Sequence, residues 1–89
     1  MKIQVTKPTK DDLKKSNIFS WPIWEKEIST FDWHYDQIEE CYFLKGKVLV
    51  QTKDGQRVEF GTGDFVVFPK DLSCTWHVKE PVRKHYNFK

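Results

Sequence analysis

The sequence predicts an all-β domain, a small barrel of the jelly-roll type with at most one short N-terminal helical turn. Three observations favour it: the apolar and aromatic runs are short, turn residues separate them at close spacing, and helix signals are nearly absent. The clearest turn signal is the pair Asp54-Gly55, since Asp-Gly is typical of tight hairpins. Closing the sheet, or pairing it across a dimer, removes exposed strand edges from so short a chain.

The chain of 89 residues predicts one domain, residues 1–89, with an N-terminal strand and short helical segment in 1–17 and the barrel in 18–88. The helical segment is expected at residues 9–15, where a cap-like Thr precedes helix formers. Pro22 predicts a bend in the first run of the barrel. The expected strands are 18–28, 31–35, 39–44, 48–52, 57–60, 65–68, 73–78 and 82–88.

Composition excludes several classes of function. Fifteen basic and thirteen acidic residues leave a net charge of +2. This charge does not indicate a nucleic-acid-binding protein. No apolar stretch approaches the ~20 residues of a membrane span, and the N-terminus lacks the apolar region of a signal peptide. We therefore expect a cytoplasmic protein that binds neither nucleic acid nor membrane. Aromatic residues make up 16% of the chain, which favours a dense core or a homodimer interface.

Alternation along the predicted strands draws attention to one carboxylate. Glu39, Cys41 and Phe43 share a face of their strand, while Asp32 and His34 share a face of the preceding one. A carboxylate on an otherwise apolar face is costly unless it is paired, bound to a ligand or solvated. Glu39 is therefore the first residue whose position requires a partner, a bound ligand or contact with solvent.

Two spacings resemble the motifs of the cupin family. Glu39 is followed by six residues and then Gly46, with His34 five residues before it, and Gly63 is followed by five residues and Pro69. The resemblance implies an RmlC-like jelly-roll barrel, usually dimeric. A dimer would have a mass in solution of twice 10.7 kDa, and a mass near 10.7 kDa would contradict it.

A narrower resemblance covers roughly residues 18–88. This part of the chain is similar to short single-domain cupins (DUF861) related to the cupin domain of ureidoglycine aminohydrolase. The resemblance implies no single activity. The segments that carry it are WPIWEKE (21–27), FDW (31–33), GDFVVFPK (63–70), Cys74-x-Trp76 and PVRKHYNF (81–88).

The cupin pattern also implies a metal site. His34 and Asp32 take the positions of the two histidines of the first motif, Glu39 takes that of its glutamate, and Cys74 stands where the second motif has its histidine. The resemblance thus implies a divalent metal (Zn, Mn, Fe or Ni) held by an altered ligand set. If the barrel is an enzyme, His34 and Glu39 are the expected catalytic residues. Because two of the four usual ligand positions hold other residue types, Asp32 and Cys74, a metal-free cavity is the alternative.

We expect the barrel to enclose a cavity for a small polar molecule, lined by Trp24, Cys41, Trp76 and Tyr86. Three functions stay open at this point. They are a metal-dependent enzyme, a metal-free enzyme of lyase or dehydratase type that uses acid–base chemistry, and a non-catalytic binding or dimerisation module.

Two further features have alternative interpretations. The basic run 83–85 predicts a solvated edge strand whose charges prevent it from pairing with another chain. Contact with an anionic ligand is the alternative. Cys74 is expected either as a small buried side chain or as a nucleophile whose thiolate His34 stabilises across the cavity.

Overall fold

Nearly all of the regular structure is β-strand, as the sequence predicts. The computed structural model describes residues 2–89, and its strands form one antiparallel sheet wrapped around a hydrophobic core. The predicted all-β barrel with one short N-terminal helix is confirmed. In chain order the elements are β1 (Gln4–Thr6), α1 (Lys10–Lys15), a 3₁₀ turn (Ile18–Ser20), β2 (Ile23–Lys26), β3 (Ser29–His34), β4 (Glu39–Thr52), β5 (Arg57–Gly61), β6 (Phe65–Phe68) and β7 (Ser73–Phe88).

The helix α1 begins where its capping signal predicts. The hydroxyl of Thr9 accepts a hydrogen bond from the backbone N–H of Asp12 at 3.2 Å, and the Asp12 carboxylate accepts one from the N–H of Thr9 at 2.9 Å. This reciprocal pair satisfies backbone donors that a helix start leaves free. No helix in residues 2–89 is both long and apolar enough to cross a membrane.

The two long strands, β4 and β7, form the frame of the barrel. They pair with each other over their whole length, from Glu39 opposite Phe88 to Thr52 opposite Cys74. On its other edge β4 pairs first with β6 and then with β5. On its other edge β7 pairs first with β3 and then with β2, and β1 extends the sheet beyond β6.

Each long strand was expected as two shorter strands, and that expectation is wrong in both places. The register of β4 on β7 shifts three times between Phe43 and Val48, so the strands bend there without ending. Gly46 has a φ of +121° at this bend, a conformation that favours glycine. On β7, Pro81 has no N–H to give to the ladder. These residues therefore bend the sheet toward closure instead of reversing the chain.

The hydrophobic core lies on the inner face of the sheet, centred on Trp76. The Trp76 ring stacks on Phe31 at 5.8 Å and meets the edge of Phe60 at 5.7 Å. The accessible surface of the chain is 5513 Å², close to the roughly 5,500 Å² that its mass predicts for a compact monomer. The aromatic excess therefore builds a core within one chain, and the expected homodimer stays a prediction.

Candidate functional site

A cavity of about 190 Å³ opens from this core to the surface. Trp33 and Phe88, 48% and 47% exposed, lie at its mouth, while the charged side chains of Glu39 and Lys84 are almost fully buried. We call it the aromatic cavity, because seven of its nine lining residues carry aromatic rings. The lining residues are Trp24, Phe31, Trp33, Tyr35, Glu39, Trp76, Lys84, Tyr86 and Phe88.

Strand pairing brings the two charged residues to one place. Side chains alternate between the faces of a strand, so Glu39 and Cys41 point inward from β4, and Lys84 and Tyr86 point inward from β7. Glu39 lies opposite Phe88, four residues along the ladder from Lys84. Both side chains are long enough to bridge that distance along the inner face.

The two charges form a buried ion pair. The ammonium of Lys84 donates to Oε2 of Glu39 at 2.5 Å, and both side chains are 5% exposed. The Cys41 thiol donates to the same oxygen at 3.1 Å and lies 3.5 Å from the Lys84 nitrogen. A buried pair needs such additional hydrogen bonds to offset the loss of water around each charge.

Aromatic rings complete the surroundings of the Lys84 ammonium. Its nitrogen lies 4.8 Å from the centre of the Trp24 ring and 5.0 Å from that of Trp76, within range of cation–π attraction. Burial on its own lowers the pKa of Lys84, but the neighbouring Cys41 sulfur and Glu39 carboxylate, through electrostatic attraction and hydrogen bonds, raise it above its ordinary value. The lysine therefore keeps its proton and stays a fixed positive charge.

The other carboxylate oxygen of Glu39 is open to the aromatic cavity. Both hydrogen bonds to the carboxylate, from Lys84 and Cys41, end on Oε2. Within residues 2–89 no donor reaches Oε1, yet no fully buried side-chain nitrogen or oxygen lacks a partner. Oε1 is therefore accessible, and since Glu39 lines the aromatic cavity, this oxygen offers an acceptor to a molecule bound there.

A neutral phenol holds the central ring in place. The indole N–H of Trp76 donates to the Tyr35 hydroxyl at 3.1 Å. Burial, followed by the nearby Glu39 charge, raises the pKa of Tyr35 well above its ordinary value, so the phenol stays protonated. The hydrogen bond orients the Trp76 ring, which forms one wall of the aromatic cavity.

Comparison with known proteins agrees with this architecture. A family model described as an EutQ-like cupin domain matches residues 13–86. The chain belongs to the EutQ-like cupin family. The crystal structure of a DUF861 family protein from Thermotoga maritima is similar at 53% identity, with 99% of this chain and 100% of that chain covered and a TM-score of 0.97.

A more distant cupin shares the fold. The structure of the Clostridium difficile EutQ protein is similar at 26% identity and a TM-score of 0.67, covering 74% of this chain and 52% of that chain. The chain therefore spans about half the length of that EutQ protein. A search of curated proteins gives no significant match.

In this cupin, two of the four predicted metal ligands point away from the aromatic cavity. Asp32 accepts a hydrogen bond from the Thr75 hydroxyl at 2.8 Å, and Nδ1 of His34 lies 2.7 Å from the Ser73 hydroxyl, all on the outer face of the barrel. The reason is alternation: β3 turns its aromatic side chains, Phe31 among them, toward the core. The expectation that Asp32 and His34 face the same cavity as Glu39 is therefore not met.

The remaining predicted ligands do not fit a divalent metal either. Within residues 2–89 no three His, Cys, Asp or Glu side chains lie close enough together to hold one. Glu39 already pairs with an ammonium, which repels a second cation. Burial raises the pKa of Cys41, and burial followed by the Asp32 charge raises that of Cys74 to about 11, so both are protonated thiols at neutral pH. The predicted nucleophilic role of Cys74 meets the same obstacle, since only a thiolate attacks.

Three of the four predicted pocket residues lie in the lining of the aromatic cavity. Trp24, Trp76 and Tyr86 line the aromatic cavity. Cys41 is fully buried beneath it and reaches the cavity only through its contacts with Glu39 and Lys84.

Lys84 is the site residue that the sequence prediction missed. The prediction of a solvated edge strand at 83–85 is wrong, because β7 pairs with neighbours on both edges. Lys84 and His85 are 4% and 5% exposed. One signal in the sequence pointed to it. Val82, Lys84 and Tyr86 alternate on one face, which makes Lys84 a polar residue between two that favour burial.

Alkaline pH is expected to destabilise this cupin. The pKa of Cys74 rises from 9.0 to about 11 on folding, and those of Lys84 and Tyr35 rise as well. A group with a raised folded pKa stabilises the fold below its unfolded pKa and loses that contribution as the pH passes its folded pKa. Urea unfolding should therefore show the free energy of unfolding falling above about pH 9, by roughly 2 kcal/mol for Cys74 alone.

The matched control for this pH dependence is Cys74→Ala, which removes one of the raised groups. Its free energy of unfolding should fall less steeply than that of the wild type between about pH 9 and about pH 11. Identical slopes in the two proteins, or a wild type that is equally stable across this range, would contradict the prediction.

Proposed function

We propose that this cupin is a small-molecule-binding domain in which the Glu39–Lys84 ion pair takes the place of a metal centre. The observation that carries the proposal is the accessible Oε1 of Glu39 within an aromatic cavity that opens to the surface. Concave, mostly apolar sites with a few convergent polar groups are the usual form of a binding site for small molecules.

The energetics of the pair support a role beyond stability. A buried ion pair contributes little compared with apolar residues of similar volume, which often stabilise a fold as well or better. Neither charge is needed to fill the core, since the aromatic rings already pack against one another. A charged pair with a raised lysine pKa that lines a cleft is therefore a candidate functional site.

The same pair supports binding without a metal. The Lys84 ammonium supplies the positive charge beside Glu39 that a bound cation would supply, and it is held there by Oε2, by the Cys41 thiol and by two indole rings. A ligand would contact the free Oε1 and the aromatic walls. The predicted Zn, Mn, Fe or Ni plays no part in this proposal.

The proposal is tested by the fluorescence of Trp24, Trp33 and Trp76, which line the aromatic cavity, during titration with a panel of single-ring fragments. We expect at least one fragment to give a saturable change that a chelator such as EDTA does not alter. Glu39→Gln should weaken that binding about tenfold, the effect of one charge-assisted hydrogen bond. Glu25→Gln, which alters an exposed ion pair with Arg83, should leave the binding unchanged.

Two results would overturn the proposal. One is a panel in which no fragment perturbs the tryptophans. The other is binding that requires a stoichiometric metal, found by elemental analysis of protein purified without a metal-affinity tag and lost with EDTA. Circular dichroism of Glu39→Gln separates a binding defect from a folding defect.

A further inference from the structure

We infer that the aromatic cavity selects an uncharged compound built on one aromatic or heteroaromatic ring that carries a single O–H or N–H donor, with phenol as the simplest example. The inference rests on the proposed function and adds the chemical class of the ligand. Size, wall chemistry, net charge and the free acceptor each restrict that class.

Size limits the ligand to one ring. The aromatic cavity has a volume of about 190 Å³. An engineered apolar cavity of roughly 150 Å³ holds one benzene molecule, and drug-sized ligands occupy roughly 300 Å³ or more. A single ring with one small substituent fits between these limits.

The walls favour an aromatic body over a polyhydroxylated one. The rings already meet in edge-to-face geometry, as Trp24 and Trp76 do at 5.9 Å and 75°, and another ring can pack against them in the same way. A sugar would bring many hydroxyl groups to a wall whose charged residues are only Glu39 and Lys84 among residues 2–89. Hydroxyl groups left without partners in such a site are costly.

Charge balance favours a neutral ligand. The carboxylate of Glu39 and the ammonium of Lys84 cancel within the lining, so a ligand with a full charge would leave an uncompensated charge in a mostly apolar site. A cation would meet the Lys84 ammonium, which already lies over the Trp24 and Trp76 rings. An anion would meet the free oxygen of Glu39.

The free oxygen requires a donor. Oε1 of Glu39 bears part of a negative charge and accepts no hydrogen bond from residues 2–89. An O–H or N–H on the ligand would give it a charge-assisted hydrogen bond, which is stronger than one between neutral groups. A ring that carries only an ether oxygen would leave Oε1 without a partner.

Four probes at neutral pH separate these requirements: phenol, anisole, benzoate and benzylammonium. Binding is measured by tryptophan fluorescence and by shifts of the indole N–H signals of Trp24, Trp33 and Trp76 in nitrogen–proton NMR spectra. We expect phenol to bind about tenfold or more tightly than each of the other three, because each of them lacks the donor or adds a net charge.

A charge variant supplies a second test. Among residues 2–89, Glu39→Gln leaves Lys84 as the one charged residue in the lining, so benzoate should overtake phenol in that variant, whereas Glu25→Gln should keep the wild-type order. If Glu39→Gln does not fold, the wild-type comparison alone decides. Benzoate or benzylammonium binding as tightly as phenol, or anisole matching it, would overturn the inference and leave the proposed function standing. So would a panel in which other fragments bind and none of these four does.

Discussion

Replacing Lys84 with methionine is expected to lower the free energy of unfolding by about 3–5 kcal/mol, the range found when one partner of a buried ion pair is removed. The variant leaves the carboxylate of Glu39 in an apolar site with the Cys41 thiol as its remaining donor. Thermal unfolding should show a drop of roughly 12–40 °C, since 1 kcal/mol corresponds to about 4–8 °C in a domain of this size.

Two comparisons isolate the cause of that loss. Arg83→Met, one residue away on β7, removes an exposed ion pair with Glu25 and should cost less than about 1 kcal/mol. The double variant Glu39→Leu/Lys84→Met should recover most of the stability, because it removes both buried charges. A single variant as stable as Arg83→Met, or a double variant no better than the single one, would contradict the prediction.

Gly46→Ala is expected to destabilise the barrel by about 3–5 kcal/mol, through backbone strain and overpacking together. Gly46 has a φ of +121°, and a Cβ atom there would lie 2.9 Å from both the carbonyl oxygen of Pro81 and the Cα of Val82. These are backbone atoms of β7, so relief would require the β4–β7 ladder to shift. Urea unfolding of the variant measures the loss.

Gly55→Ala is the matched control, because it has the strain without the collision. Gly55 has a φ of +95° in the β4–β5 turn, and a Cβ atom there would meet nothing within 4 Å. We expect it to cost about 1 kcal/mol. Equal losses in the two variants would show that the approach of β7 to Gly46 adds nothing to the strain.

Local signals in the sequence predicted the fold class and which residues share a face of a strand. The cap at Thr9 predicted α1, and alternation correctly placed Asp32 and His34 together on one face of β3. Alternation alone does not tell which face is inward. The cupin pattern assigned the face with Asp32 and His34 to the cavity, whereas the apolar Phe31 on the other face is the side chain that packs on the core.

The ion pair could not be predicted by the same means. Lys84 and Glu39 are 45 residues apart, and their contact depends on the register of β4 against β7. A run of arginine, lysine and histidine is typical of a solvated edge strand. Only a partner carboxylate makes the burial of the lysine tolerable. Glu39 can be identified as that partner once β4 and β7 are aligned. A single sequence does not specify this alignment.

The central position of β7 has a consequence for how the chain matures during synthesis. β2, β3 and β4 all pair with this strand, so none of them has its full set of neighbours before β7 is made. Translation at ~5–20 residues per second lets many domains fold segment by segment, but here β2 and β3 have no strand to pair with before β7, although β4 can already pair with β5 and β6. Trp24 and Phe31, which pack on Trp76, stay uncovered until β7 arrives. The barrel then forms through distant pairings, which are slow to find. A ribosome stalled before β7 would therefore carry an open chain with exposed apolar side chains instead of half a barrel.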